Sequence, residues 1–458
     1  MKNIAVIDVG KTNIKVALVN LELFEEQKIV SIPNESVYSG QLLTFNTEFI
    51  WEFICNSLKE LSASIQIEGI GVTTHGAAAV LIMKDGTYAE PLDYEDPTID
   101  SIAGEYSKIR PHFEETGSPH LAGGLNIGSQ LYLQFKLAPK LREKLLHIVT
   151  YPQFWGWKLT GKFATDFTSL GCHTDLWSPK NRDFSTLVKI LKIDGKIPFP
   201  KKPNEFLGNL SLPTIDNDKI SRIPVSVGIH DSNASLVPHL YSQTTPFSVI
   251  STGTWVVVLS VGGKKIQLDP ARDTLLNVNL FGKETPSARF MGGREYEIEA
   301  GDTLPEHKDH EKMFEDGLIL LPSIINDVGP FQKCNPRWEP YVPEQNSGLR
   351  NLVTSYYLAM ITCECLEQIG HIGKIILEGP FTKNRHFMNM LSVMTETKIL
   401  VSKSATGTTI GTSMLFLNEL YDTRINYEVL DHNDKKLLNF GKRWQEKINL
   451  HRNFFLNK

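Results

Sequence analysis

The chain has 458 residues, 41% hydrophobic and 22% charged, so it is long enough for two domains of comparable size. Its 47 basic and 52 acidic residues give a formal charge of −5 and include no long basic run, which argues against a nucleic-acid partner. No apolar run is long enough for a membrane span, and Asp8 interrupts the first apolar run before a signal peptide could form. Five cysteines without a C-x-x-C pair predict a reducing, cytoplasmic compartment.

Apolar runs alternate with amphipathic stretches, which is the pattern of an α/β fold. Helices are predicted over Phe49 to Leu61 and around Phe387 to Met394, because apolar residues recur there on one helical face. The Pro-, Asn- and Lys-rich segment from Lys196 to Pro213 is predicted to be irregular surface. The predicted strands are Ala5 to Ile7, Ile14 to Val19, Ile70 to Thr73, Val225 to Gly228, Ser248 to Ile250, Val256 to Val261 and Lys374 to Leu377.

A weak internal repeat predicts two halves built on one plan. The segment NIAVIDVGKTNIKVALV aligns with PFSVISTGTWVVVLSV, so that Asp8 falls on Ser251 and Gly10 on Gly253. Each half reads as an apolar strand, a turn with glycine and a second apolar strand. β-Hairpins with a turn glycine are common, so chance similarity is the alternative.

The first of these turns has the residue types of a phosphate and magnesium site. Backbone N–H groups of two glycine turns across a cleft would suit a polyphosphate, and Asp8 would hold Mg²⁺ through water. Thr12, Asn13 and Lys15 could then donate hydrogen bonds and positive charge to the β- and γ-phosphates. An aspartate that caps its own turn is an equally good interpretation of this pattern alone.

Two rival nucleotide motifs are rejected on the residues they contain. Gly156 to Lys162 has the spacing of a P-loop, but Phe163 replaces the magnesium-binding Ser or Thr, so a helix ending in a turn at Thr160-Gly161 is predicted. The pair Gly69 and Gly71 lacks the third glycine of a dinucleotide fingerprint.

A second carboxylate, Asp231, follows a β-rich run at the start of a polar turn. Phosphoryl transfer to an alcohol needs a positioned carboxylate to accept the hydroxyl proton, and Asp231 is the candidate. The alternative is an N-cap for a helix over Ser232 to Leu236. The histidines at 75, 173 and 230 lie in polar turns without zinc spacing, so core or sugar-contacting roles are expected rather than metal binding.

The adenine of a nucleotide would need a glycine-rich turn between a strand and a helix N-terminus. The segment from Leu377 supplies this, with Gly379 permitting close approach of the base. A plain strand-turn-helix packing unit is the alternative.

Taken in order, six short motifs resemble those of the FGGY carbohydrate kinases, whose fold is a duplicated actin-like (ribonuclease H-like) domain with an interdomain cleft. The motifs are DVGKTNIK (8–15), THGA (74–77), HDSNAS (230–235), STGTW (251–255), FMGG (290–293) and EGPFTKNRHF (378–387). The resemblance implies an N-terminal domain over 1–243 that binds the sugar and Mg²⁺ and carries the catalytic base, and a C-terminal domain over 244–458 that binds the nucleotide.

Carried over by position, the resemblance implies roles for individual residues. On the nucleotide side, these are Asp8 for magnesium; Thr12, Asn13 and Lys15 for phosphate; Gly253 and Thr254 for the second phosphate turn; and Gly293, Gly379 and Asn384 for the nucleoside. On the sugar side they are Asp231 as base, with His75, Gly76 and the turn Tyr94-Glu95-Asp96.

The same resemblance indicates a class of substrate, and the sequence departs from the family pattern in two respects. THGA is similar to the M-H-G of xylulose kinases and lacks the Arg-Glu of glycerol kinases, so glycerol is disfavoured and a deoxy-ketose, L-rhamnulose or L-fuculose, is favoured. The base motif departs from the usual G-D-Q or G-D-N, and the chain is short for the family. An actin-like ATPase or phosphatase and a non-catalytic sugar sensor are the rival functions, and a homodimer is left open.

Overall fold

The computed structural model describes residues 1–213, 220–402, 407–417 and 427–456. The chain forms two compact units. The first contains Met1–Gln243 with Leu276–Glu284 and Thr406–Arg424, and the second contains Thr244–Leu275, Thr285–Ala405 and Ile425–Lys458. The sequence-based division into 1–243 and 244–458, with its assignment of roles, stays a prediction and does not include the two later segments that belong to the first unit.

Within the described residues, the segment Met1–Gln243 of the first unit contains fourteen strands and nine α-helices. The strands are β1 (Asn3–Val9), β2 (Asn13–Asn20), β3 (Glu25–Pro33), β4 (Ser36–Ser39), β5 (Leu42–Phe45), β6 (Gly69–Thr74), β7 (Ala79–Met83), β8 (Tyr88–Ala89), β9 (Leu145–Thr150), β10 (Trp177–Ser178), β11 (Asp183–Phe184), β12 (Phe206–Pro213), β13 (Ile220–Ser226) and β14 (Ile229–His230). The helices are α1 (Thr47–Ser62), α2 (Ala103–Tyr106), α3 (Phe113–Thr116), α4 (Ile127–Leu137), α5 (Leu141–Lys144), α6 (Tyr151–Thr160), α7 (Phe167–Leu170), α8 (Thr186–Ile190) and α9 (Asp231–Ser242), with a 3-10 turn at Pro97–Ile102.

The main sheet of this unit has the order β12-β13-β6-β1-β2-β3. The short strand β14 pairs with the last two residues of β6, Thr73 and Thr74, whereas β13 pairs with β6 at Ile70. β1 and β2 form the predicted antiparallel hairpin, while β6 runs parallel to β1 and so ends at the same edge of the sheet as Asp8. Helix α1 covers one face. Its apolar stripe, including Ile50, Ile54 and Leu58, shares a core cluster with Val16 of β2 because the 3.6-residue period puts these side chains on one side.

Nine further strands and six further α-helices follow within the described residues, and most of them belong to the second unit. The strands are β15 (Phe247–Thr252), β16 (Val256–Val261), β17 (Thr274–Val278, which begins here and ends in the first unit), β18 (Glu284–Phe290), β19 (Ile319–Leu321), β20 (Arg337–Glu339), β21 (Lys374–Glu378), β22 (Ile399–Ser402) and β23 (Tyr427–Leu430). The helices are α10 (Gly292–Glu299), α11 (His307–Asp316), α12 (Gly348–Gln368), α13 (Arg385–Thr395), α14 (Gly407–Ser413, which belongs to the first unit) and α15 (Lys435–Leu456), with 3-10 turns at Pro270–Arg272, Pro380–Lys383 and Met414–Phe416.

The predicted repeat is present in the way the strands of the two units pair. The second main sheet has the order β17-β18-β16-β15-β21-β22-β23. β15 and β16 form an antiparallel hairpin, and β21 lies parallel to β15, as β6 does to β1. The next strand along, β18, is antiparallel to β16, as β3 is to β2. Each unit therefore places a hairpin inside its sheet, with a further strand on either side.

One sequence-based prediction is wrong and another is confirmed. Lys196 to Pro213 was expected to be irregular, but its second half forms β12, which pairs antiparallel with β13 at the sheet edge. The residues Asn209 to Leu212 alternate between exposed polar and core-facing apolar side chains, but the Pro and Lys residues before them favoured the irregular prediction. The P-loop-like segment is the end of α6, which Gly161 terminates with a left-handed φ of 71°. Within the described residues, no helix has the length and apolar character needed to cross a membrane.

Candidate active site

Asp8, the predicted magnesium ligand, lies near the carboxyl end of β1. It is paired in register with Lys15 of β2 on one side and Thr73 of β6 on the other. Burial raises the pKa of Asp8 to about 7; Lys15 opposes this shift, while the negative charges of Asp231 and Glu26 add to it. The surroundings of Asp8 therefore disfavour its negative charge, which a bound cation would stabilise.

Asp231, the predicted base, is the first residue of α9. Its Oδ1 accepts a hydrogen bond from the backbone N–H of Ser232 at 2.6 Å, and it lies 3.2 Å from Nε2 of His230. Its side chain remains about one-third exposed. The helix expected from the capping alternative does exist, but it begins at Asp231 and has His230 as its N-cap, so Asp231 is not the cap.

His75 lies just beyond the end of β6, among aromatic rings. Ring centroids of Phe45, Tyr151 and Tyr94 are 4.8, 5.1 and 6.0 Å from that of the imidazole. Nδ1 is 2.7 Å from the carbonyl oxygen of Gly76, and burial lowers the pKa of His75. The imidazole is therefore favoured in its neutral form, with one nitrogen donating to Gly76 and the other open as an acceptor.

Gly76 is fixed as glycine by its neighbour. A Cβ at this position would stand 2.6 Å from Nε2 of His230, so the two predicted turns, THGA and HDSNAS, meet here. The register of the short β14 with β6 explains this contact, because it pairs His230 with Thr74. The structure thus brings together four sequence-predicted residues, Asp8, His75, Gly76 and Asp231, within the first unit.

A buried thiol completes this cluster. Burial acts to raise the pKa of Cys172, but the adjacent imidazoles of His173 and His230 outweigh it and lower the pKa. Burial likewise acts to lower the pKa of His230, while Cys172 and Asp231 raise it above its ordinary value. His230 is thereby held toward its charged form beside Asp231. The sequence pattern showed Cys172 next to His173 but gave no sign that His230 joins them.

The remaining predicted phosphate contacts lie on the β1–β2 turn, residues 10–13, and on β2. The turn is closed by a 2.9 Å bond from the N–H of Gly10 to the carbonyl of Asn13, and Asn34 donates to the carbonyl of Gly10 at 2.7 Å. The side chains of Thr12 and Asn13 are exposed. Lys15 directs its ammonium group to Glu26 on β3, at 3.1 Å.

Several buried polar atoms around these residues lack partners. Among the described residues, Nε2 of His75 and the hydroxyl groups of Thr73 and Ser169 make no hydrogen bond. A buried polar atom without a partner costs about 1–3 kcal/mol, so a polyhydroxylated ligand that satisfied these atoms would recover that cost.

In the second unit, the predicted nucleotide residues cluster around the β15–β16 turn, residues 253–255. A Cβ on Gly293 would approach the carbonyl oxygen of Gly253 to 2.1 Å, so the start of α10 touches this turn. Gly379, with φ 85°, lies equally close to the carbonyl oxygen of Thr252. Thr254 is exposed on the turn. The three glycines therefore meet at one edge of the second sheet.

Asn384 has a structural part at the same edge. Its Oδ1 caps α13 by accepting from the N–H of Phe387 at 3.0 Å, and its amide nitrogen donates to the hydroxyl of Ser355 at 2.9 Å. Both ends of its side chain are therefore engaged, and its predicted contact with a nucleoside remains a prediction.

Gly253 offers a sharp test of the predicted phosphate turn. Its φ is not left-handed, and a Cβ would meet nothing closer than the carbonyl oxygen of Trp255 at 3.8 Å. We expect Gly253→Ala to leave the melting temperature unchanged but to weaken Mg-ADP binding by about tenfold, which titration calorimetry would measure, because the methyl group would enter the ligand space. Gly104→Ala is the matched control, since Gly104 has open space around its Cβ. Unchanged affinity in the Gly253 variant would remove the turn from the nucleotide site.

The residues at Asp8 fit a magnesium ion. No group of three or more His, Cys, Asp or Glu side chains in the described residues is arranged to hold a metal. Magnesium does not need one, because it retains waters and takes one or two carboxylates together with substrate phosphates. The raised pKa of Asp8 indicates a carboxylate whose neighbourhood a divalent cation would stabilise.

Comparison with known proteins decides the family of the second half. Residues 244–424 match the model described as "Carbohydrate kinase FGGY, C-terminal domain". The chain carries an FGGY carbohydrate kinase domain. The resemblance predicted from the six motifs is therefore confirmed, and the three glycines that meet at the β15–β16 turn all lie in the FGGY domain.

A solved structure confirms the predicted α/β fold of duplicated actin-like domains. A carbohydrate kinase from Novosphingobium aromaticivorans matches 98% of this chain, and 99% of its own, with a TM-score of 0.87 and 28% identity. L-fuculokinase of Escherichia coli K12 is 25% identical over 273 residues, and rhamnulokinase of Pectobacterium atrosepticum is 23% identical over 268. These matches cover 56% and 52% of the two relatives, so the chain spans about half the length of the curated relatives it matches.

Proposed function

We propose that the protein is an ATP-dependent carbohydrate kinase that transfers the γ-phosphoryl group to a hydroxyl of a small ketose. The observation that carries the proposal is the pairing of Asp8 with Asp231: two carboxylates, each beside the end of a sheet strand, whose charges act on one another. FGGY kinases are ATP-dependent phosphotransferases, and this pairing supplies the two carboxylate functions that such a transfer requires.

The proposed chemistry assigns one role to each carboxylate. Asp231 accepts the proton of the sugar hydroxyl while the oxygen of that hydroxyl bonds to the γ-phosphorus. The bond between the γ-phosphorus and the bridging oxygen of ATP breaks at the same time, and ADP leaves. His230, whose Nε2 lies 3.2 Å from Oδ1 of Asp231, would hold that carboxylate in place for the transfer. Magnesium, when bound at Asp8, would neutralise charge on the phosphates.

The proposed sugar is L-fuculose or L-rhamnulose, phosphorylated at its terminal hydroxyl. The names of the relatives L-fuculokinase and rhamnulokinase support this choice. The aromatic rings around His75 support it as well, because a deoxy-sugar presents a methyl group that an apolar wall can cover. The unsatisfied polar atoms of His75 and Thr73 would meet hydroxyl groups of the same molecule.

The proposal is tested by ADP release from the purified protein with Mg-ATP against a panel of sugars. The panel contains L-fuculose, L-rhamnulose, D-xylulose and glycerol, and we expect turnover above the no-sugar background with one of the two deoxy-ketoses. Turnover with D-xylulose alone would support the proposed kinase activity but would replace the deoxy-ketose with D-xylulose as its substrate. ADP release independent of sugar would replace the proposal with an ATPase, and nucleotide binding without ADP release would indicate a sensor.

A further inference from the structure

Lys11 has no role in the sequence-based site, yet it makes contacts that no other residue of the β1–β2 turn makes. Its ammonium group pairs with Asp93 and, at 3.2 Å, with Glu95. It also lies over the rings of Tyr94 and Phe45, 5.2 and 5.3 Å from their centroids. A residue of the predicted phosphate turn thus reaches residues 93–96, here called the 93–96 loop. This loop contains the Tyr94-Glu95-Asp96 turn that the resemblance places on the sugar side.

Asp93 anchors the 93–96 loop. Its side chain is fully buried and accepts hydrogen bonds from the hydroxyl of Ser36 and, at 2.9 Å, from the N–H of Glu95. Burial acts to raise the pKa of Asp93, but Lys11 and Ser36 lower it below its ordinary value. A buried carboxylate of this kind needs a counter-charge, and the Lys11 ammonium group supplies it.

The loop in turn lies against the candidate sugar site. The N–H of Asp96 bonds to the carbonyl of Asp93 at 3.0 Å, which closes a tight turn, and the ring of Tyr94 makes an edge contact with His75. The charges of Lys11 and Asp93 both act on the His75 imidazole. Movement of the ammonium group would therefore change the surroundings of His75.

The alternative role for Lys11 is a phosphate ligand, as its place in the turn suggests. Two carboxylates and two aromatic faces already hold its ammonium group. Moving it to a phosphate would leave the buried Asp93 carboxylate without a counter-charge, which is costly. Lys15 differs, because its partner Glu26 lies on β3 and outside the 93–96 loop.

We propose that Lys11 is a positioning residue for the sugar: its ammonium group holds the 93–96 loop, and with it Tyr94, against His75. The proposal rests on the proposed function and deepens it. It predicts that loss of the Lys11 charge weakens binding of the sugar more than binding of the nucleotide, although Lys11 lies on the turn predicted to bind phosphate.

The kinetic test compares Lys11→Met, Lys11→Arg and wild type with Mg-ATP and whichever of L-fuculose, L-rhamnulose and D-xylulose supports turnover. We expect Lys11→Met to raise the KM for sugar by about tenfold or more while kcat and the KM for ATP change less than about threefold. Lys11→Arg, which keeps the charge, should recover most of the sugar KM. A raised KM for ATP with an unchanged KM for sugar would overturn the proposal, as would no change in either.

A second measurement does not depend on turnover. Hydrogen exchange at the amides of Glu95 and Asp96, which bond to Asp93, is expected to be faster in Lys11→Met than in wild type. Lys158→Met is the control, since Lys158 also lies over two rings and pairs with a carboxylate, on α6. Equal exchange in all three proteins would overturn the proposal. Absence of sugar-dependent turnover in wild type would instead refute the proposed function, leaving the exchange measurement to decide the role of Lys11.

Discussion

Replacing Asp231 with asparagine is expected to lower kcat by about 100-fold or more while leaving Mg-ADP binding within about threefold of wild type. Asparagine keeps the shape and the Oδ1 atom that accepts from Ser232, but it cannot take a proton from a hydroxyl. General-base catalysis of this kind typically contributes a factor of about 10²–10⁴. Because the change falls on the chemical step, the KM for sugar should move less than kcat.

The measurement is steady-state ADP release with the sugar that the panel identifies, together with calorimetric titration of Mg-ADP. Glu48→Gln is the matched control, since Glu48 is also an acid in the first turn of a helix, α1, and loses the same favourable contact with the helix N-terminus. We expect the control to keep wild-type kcat. An Asp231→Asn protein that turned over as fast as the control would show that another group accepts the proton.

Replacing Asp8 with asparagine is expected to have two opposite effects: sugar-dependent turnover falls by about 100-fold or more, while the metal-free protein becomes more stable at pH 8. Turnover falls because the amide cannot supply the negative charge that holds magnesium near the phosphates. Stability rises because burial, with Asp231 and Glu26, makes an ionised Asp8 unfavourable in the folded protein. A residue kept for function at a cost in stability behaves in this way.

The gain in stability should depend on pH in a defined direction. The pKa of Asp8 is about 7 in the folded protein and 3.8 in an ordinary aspartate, so wild type loses stability as the pH rises from about 4 to about 7. At 1.4 kcal/mol per pKa unit, the loss that Asp8→Asn avoids is at most about 4 kcal/mol at pH 8 and vanishes near pH 4. Urea unfolding without magnesium at pH 4.5 and 8 measures it. The same stability difference at both pH values would contradict the environment assigned to Asp8.

The parts of the fold that could be predicted from sequence are those with a strong local pattern. The apolar runs around Ile7 and Val16 predict the buried strands β1 and β2, and the helical stripe through Ile50 and Ile54 predicts α1. The hairpin repeat could also be read, because Gly10 and Gly253 mark both turns. β12 was missed although Asn209 to Leu212 alternates polar and apolar residues, because this alternation is short and follows a Pro- and Lys-rich stretch.

In the candidate site, the residues could be selected from the sequence, but the contacts between their side chains could not be predicted. Asp8 and Asp231 could be selected because each follows an apolar run, but only the folded sheet shows that their charges interact. Lys11 and Asp93 were missed for the same reason: a lysine in a turn and an aspartate in a loop look like solvated surface until the buried pair is seen.

The most direct test of the account is the identity of the phosphorylated product. Wild-type protein and Asp231→Asn are each incubated with Mg-ATP and the sugar that supports turnover, and the products are followed by phosphorus-31 NMR. The account predicts a sugar phosphate monoester that appears in step with ADP in the wild-type sample and is nearly lost in the variant. Inorganic phosphate in place of the ester, or equal ester formation by both proteins, would contradict a sugar kinase with Asp231 as its base.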